Sequence, residues 1–112
     1  MICLDAPAHG RSDGVLFNVP MYARLIQQFL EQNKVDSILS HSLGAFSTMY
    51  LLSNYPLLSP PKVIALGTPS YADSFIDEFI RVLNLSSKAR RNLVTYFTNY
   101  SGLKTNDFDS KL

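Results

Sequence analysis

The stretch Val35-Asp36-Ser37-Ile38-Leu39-Ser40-His41-Ser42-Leu43-Gly44-Ala45-Phe46-Ser47-Thr48-Met49-Tyr50-Leu51-Leu52 decides the fold. Its first part, Val35 to Ser40, has the length and apolar content of a short buried strand. Its last part, Ala45 to Leu52, is mostly apolar over a helical length. Between them His41-Ser42-Leu43-Gly44 leaves no room for a loop. Ser42 is therefore expected on a sharp strand-to-helix turn, with its hydroxyl lifted above the edge of a parallel sheet. Ser40 and Gly44, two positions to either side, are both small, as closure of such a turn requires.

The pattern outside this stretch agrees with it. Downstream, Asn54-Tyr55-Pro56 ends the helix, because proline disfavours helical geometry in the residue before it. Val63-Ile64-Ala65-Leu66 then predicts a second apolar strand, closed by Gly67-Thr68-Pro69. Upstream, Pro20 suits the first turn of a helix in which Tyr22, Leu25, Ile26, Phe29 and Leu30 recur at helical spacing, ending near Asn33. Ile2 to Leu4 predicts a further strand, running into the polar loop Asp5-Ala6-Pro7-Ala8-His9-Gly10-Arg11-Ser12-Asp13-Gly14. Strand, helix, strand, helix, strand is the order of a parallel sheet. Continuous apolar strands predict helices on both of its faces.

The last third changes character. Phe75, Ile76, Phe79, Ile80 and Leu83 form one helical stripe, and Ala89, Leu93, Phe97 and Tyr100 form another. Ser86 or Ser87 is the expected cap of the second helix. Thr105 to Ser110 is polar and unpatterned. The expected division is an α/β core over residues 1–70 and a helical segment over 71–112.

Composition narrows the function classes. The 112 residues are 46% hydrophobic and 17% charged, with a formal net charge of +1, so a nucleic-acid partner is not expected. The single cysteine, Cys3, excludes an internal disulfide and is expected to be a small buried hydrophobe. No run is long and apolar enough to span a bilayer, and the first residues lack the pattern of a signal peptide, so a cytoplasmic location is expected. The glycosylation sequons at Asn84 and Asn99 are then chance matches.

A serine on such a turn has a defined chemistry. Its hydroxyl needs a base to take its proton and donors to hold the oxyanion that forms. The N–H of Leu43 and the positive end of the following helix would supply part of the second requirement.

Ser40-His41-Ser42-Leu43-Gly44-Ala45 resembles the nucleophile elbow of the α/β-hydrolase family, in which a glycine usually stands where Ser40 stands here. Asp5-Ala6-Pro7-Ala8-His9-Gly10-Arg11-Ser12 resembles the D-x-x-G-H-G-x-S loop after that family's fourth strand, with Ala8 in place of a glycine. Leu66-Gly67-Thr68-Pro69 resembles the end of the sixth strand, and the helices from Ala72 to Tyr100 the start of a helical cap. The resemblance implies a partial α/β-hydrolase fold: parallel strands with covering helices and a cap-like C-terminal segment. It implies a serine hydrolase acting on an ester, thioester or amide of a small acyl substrate, with Ser42 as nucleophile, Leu43 as backbone oxyanion donor, and neither metal nor organic cofactor. The family's acid and histidine follow its seventh and eighth strands, which have no counterpart here. Its third strand, which lies between the fourth and fifth and brings the second oxyanion donor, has none either. The chain is thus expected to be a truncated piece, inactive alone, and marginally stable or self-associating through unpaired strand edges. The alternative is a non-catalytic fragment with a binding role or none.

The chain's own residues are expected to leave the base unfilled. His41 should point away from Ser42, and His9 occupies a loop position that the family does not use as its base. Asp5 and Asp13 are expected as turn carboxylates. Asp73, Asp77, Glu78, Arg90 and Arg91 are expected as solvated charge. Phe75, Phe79, Tyr96 and Phe97 are expected as helix packing before any acyl pocket.

Overall fold

The computed structural model describes residues 1–68 and 71–101, without the side chains of Ala72 and Ser101. Pro69 and the polar stretch from Thr105 to Ser110 lie outside the described residues. The fold is mixed α/β, in the order α1 (Val19–Gln32), β1 (Ser37–His41), α2 (Ser42–Asn54), β2 (Lys62–Leu66), α3 (Ala72–Val82) and α4 (Ser87–Ser101). It divides into two compact units between Thr68 and Pro69.

In the first unit, α1 starts at an N-cap made by Asn18, whose Oδ1 accepts the Met21 N–H at 2.8 Å. Pro20 occupies the first turn, where its missing N–H has no intrahelical role. Val19, Ala23 and Ile26 form the buried stripe of this helix. On α2 the buried set is Ala45, Phe46, Ser47, Thr48 and Leu51. Ala23, Ile26 and Leu51 make the centre of the core, with Leu4, Tyr22, Leu30, Tyr50 and Tyr55 packed around them. The two buried hydroxyls are satisfied within their own helix: Ser47 Oγ donates to the Leu43 carbonyl and Thr48 Oγ1 to the Gly44 carbonyl, each at 2.8 Å.

β1 and β2 pair in parallel, Ser37 opposite Lys62 through His41 opposite Leu66. Ile38 and Ser40 on β1, and Val63 and Ala65 on β2, are partly buried on one face of the sheet. α2 packs against both strands and against α1. On the opposite face Leu39 is 72% and Ile64 59% exposed, side by side, and no helix of the first unit covers them among the described residues. This corrects the expectation of helices on both faces. An apolar run shows that a strand tolerates burial on both sides, but not that a second layer is present to provide it.

Two further corrections concern the N-terminus. Ile2 to Leu4 is not a strand: no ladder partner lies beside it, and none of Met1 to Leu4 makes a main-chain hydrogen bond among the described residues. Strand formation depends on a neighbouring edge, which local sequence does not report. Cys3 is exposed for the same reason, since no adjacent strand covers it.

The second unit is a pair of helices. α3 ends in a Schellman motif: the Leu85 N–H donates to the Ile80 carbonyl at 3.0 Å and the Asn84 N–H to the Arg81 carbonyl at 3.2 Å. Asn84 takes the left-handed position there, at φ 50°. α4 is capped by Ser86, whose Oγ accepts the Ala89 N–H at 3.3 Å. Arg90 Nε donates to Asp77 Oδ1 at 2.6 Å, tying α4 to α3, and Arg81 pairs with Glu78 along α3. Arg90, Asp77 and Glu78 are therefore ion-paired, not merely solvated. The hydrogen bond from Arg81 holds the Glu78 carboxyl below its usual range, and those to Glu78 and Asp77 raise Arg81 and Arg90. Such exposed pairs add little stability.

Candidate functional site

β1 delivers the chain to Ser42 in extended geometry, with His41 at φ −133° and ψ 143°. Ser42 then takes φ +51° and α2 begins at once. A left-handed conformation costs a residue with a Cβ about 1–2 kcal/mol, and only glycine, and occasionally asparagine or aspartate, adopts it routinely. The turn is thus made by one strained, half-buried serine where the sequence offers no glycine. The N-cap position belongs to His41, which makes no side-chain cap hydrogen bond, so Ser42 is not the capping residue of α2. The His41 side chain leaves the first-turn N–H groups of the helix, Leu43 among them, uncapped.

The two small flanking residues behave differently from each other. Gly44 is not sterically compelled: a Cβ there would stand 3.8 Å from Cε1 of Tyr22, an ordinary contact. Ser40 carries a cost, because its Oγ is buried with no hydrogen-bond partner. Serine at this position fits the turn but leaves a hydroxyl without a partner among the described residues.

Neither histidine is bonded to Ser42 among the described residues. The His41 ring lies over the end of β2, with Nε2 3.5 Å from where a Cβ on Gly67 would stand. His9 is held in its own loop, its Nδ1 donating to the Pro7 carbonyl at 2.8 Å, a bond that fixes the proton on that nitrogen. That loop is tightly built. Asp5 Oδ2 accepts the Arg11 N–H at 2.9 Å, and the Asp5 carbonyl accepts from Ser12 Oγ at 2.8 Å. Gly10 sits at φ +56° beneath the Asp5 carboxylate, where a Cβ would collide with it. Asp5 is therefore the residue that closes the loop. Ala8 takes φ +60°, a left-handed conformation at a residue that carries a Cβ.

Sequence reasoning did not find the link between loop and turn. His9 meets the edge of Phe17 at a centroid distance of 5.3 Å, and Phe17 meets Tyr22 at 5.9 Å. Tyr22 in turn faces Gly44. Burial, with the nearby Asp5 charge, raises the Tyr22 hydroxyl above its ordinary value of 10.0. Tyr22 was visible in the sequence only as one member of the α1 apolar stripe.

Among the described residues, no group of three or more His, Cys, Asp or Glu is placed to hold a metal ion. No helix among them is long and apolar enough to cross a membrane. No family model matches the chain, and neither a curated protein nor a solved structure is found similar to it.

Proposed function

We propose that the chain is a serine hydrolase of the α/β-hydrolase type, or a truncated piece of one, with Ser42 as the nucleophile toward a small-molecule ester, thioester or amide. The observation that carries this proposal is the left-handed serine at the junction of a parallel strand and a helix. Strain of this kind is maintained only where surrounding structure enforces it, and it clusters at functional positions. In the proposed step Ser42 Oγ attacks the acyl carbon while a base takes its proton. The Leu43 N–H and the uncapped first turn of α2 hold the oxyanion, and collapse of the tetrahedral intermediate, with the base returning that proton to the leaving group, expels the alcohol, thiol or amine and leaves an acyl-serine. Hydrolysis and transfer to another acceptor share this step. The chemistry calls for no metal or organic cofactor.

A second possibility, a non-catalytic fragment, is favoured by one observation: His9 is bonded within its own loop and the His41 ring lies beside Gly67, so no base is bonded to Ser42 among the described residues. A fluorophosphonate probe followed by peptide mass mapping separates the two. The probe is expected to label Ser42, and not the Ser42→Ala variant, in a polypeptide that carries the catalytic acid and histidine. A folded polypeptide of that kind with no adduct at Ser42, or with equal adduct at other serines, overturns the nucleophile assignment.

A further inference from the structure

The end of the second unit where α3 passes into α4 has two features that helix stability does not account for. The first is charge. From Arg81 to Arg91 the sequence holds four cations and no acid. The acids of these helices, Asp73, Asp77 and Glu78, all lie earlier on α3. Lys88, Arg90 and Arg91 fall within the first five residues of α4, where the positive end of the helix dipole repels cations. Arg90 has Asp77 to offset that repulsion. Lys88 and Arg91 are exposed and have no ion-pair partner among the described residues. They stand three residues apart, on one side of the helix.

The second feature is apolar surface. Phe79, Val82 and Leu83 follow the i, i+3, i+4 spacing of a single helix face, and each is at least half exposed. Leu85, in the link between the helices, is more than a third exposed. That link is only four residues long, so the strip lies next to the α4 cations. We propose that this end of the helix pair docks on an anionic lipid surface, with Val82, Leu83 and Leu85 entering the headgroup layer and Lys88 and Arg91 against the lipid phosphates. The charge selects among occupants. A second copy would bring four more cations against these four. A nucleic acid would meet the cations but leave the aliphatic side chains without an apolar partner. An anionic lipid layer offers phosphate to the cations and hydrocarbon to the aliphatics at adjacent depths. Docking also relieves α4, since phosphate neutralises cations that the helix dipole repels. Ser42 takes no part, so this surface and the nucleophile assignment stand or fall separately.

The test is flotation of the whole chain with vesicles of phosphatidylcholine alone, or of phosphatidylcholine and phosphatidylglycerol in equal parts. Binding is expected to the mixed vesicles, weakening as salt rises, and far less to the neutral ones. Lys88→Gln with Arg91→Gln is expected to weaken binding about 25-fold, from about fivefold for each cation near the surface. This variant relieves a repulsion, so its loss of binding does not come from an unfolded α4. Val82→Ser with Leu83→Ser is expected to weaken binding about tenfold or more at unchanged helical circular dichroism, since both side chains are exposed. The proposal is overturned by no binding to the mixed vesicles at low salt, by equal binding to the neutral ones, or by variants that bind as the parent does. It is also overturned by a duplex oligonucleotide that displaces the chain from the vesicles, or by a chain dimer that Val82→Ser with Leu83→Ser dissolves.

Discussion

Replacing Ser42 with glycine should stabilise the protein, and replacing it with alanine should change little. The magnitude follows from the turn. At φ +51° the serine carries the left-handed cost of about 1–2 kcal/mol, which glycine lacks. Glycine loses more conformational freedom on folding, about 0.5–1 kcal/mol relative to alanine. The balance favours Ser42→Gly over Ser42→Ala by about 1 kcal/mol, or about 4–8 °C in Tm for a domain of this size. Ser42→Ala keeps the Cβ and the strain, and removes a hydroxyl that caps no helix, since His41 holds the N-cap position. Urea unfolding of the three proteins at matched m-values reads both differences. An ordinary helical serine would give the opposite sign, glycine falling about 1 kcal/mol below alanine. An ordinary capping serine would lose about 1 kcal/mol on replacement by alanine. Either outcome would refute a left-handed Ser42 and with it the geometric basis for the nucleophile.

Three other substitutions test the surroundings of the turn. Ser40→Ala removes the buried hydroxyl that has no partner and should raise stability by about 1 kcal/mol, read as a higher urea midpoint at unchanged m. Gly10→Ala forces a Cβ against the Asp5 carboxylate at a left-handed position and should cost about 2 kcal/mol or more, with loss of exchange protection at the Arg11 N–H; an unchanged midpoint would remove Asp5 from the loop closure. The Tyr22 hydroxyl titrates higher folded than unfolded, so its contribution is intact below pH 10 and is lost as pH rises through the folded value. Tyr22→Phe should therefore flatten the alkaline fall in stability, and identical alkaline profiles for the two proteins would contradict that assignment.

Elements whose causes are local were legible in the sequence. The stripe from Tyr22 to Leu30 is α1, Pro56 lies just beyond the end of α2, and Val63 to Leu66 lies in β2. The junction at Ser42 followed from the absence of any loop between strand and helix. What was not legible depends on neighbours. Ile2 to Leu4 has strand composition but no adjacent edge, and Leu39 and Ile64 have core composition but no covering layer among the described residues. The left-handed state of Ser42 and Ala8 was not legible from residue type either, since both side chains disfavour it; the surrounding turns impose it. Tyr22 looked like any core aromatic, because its position against Gly44 depends on how α1 and α2 cross.

The row of rings from His9 through Phe17 to Tyr22 makes the molecule its own spectroscopic reporter. There is no tryptophan to dominate the near-ultraviolet signal. Each ring lies within the magnetic anisotropy of the next, so reorienting the imidazole shifts the Phe17 resonances, and those of Tyr22 in turn. A two-dimensional spectrum of the aromatic protons would thereby follow events at the Ser42 turn and in the Asp5–Gly14 loop together, with no label attached to either.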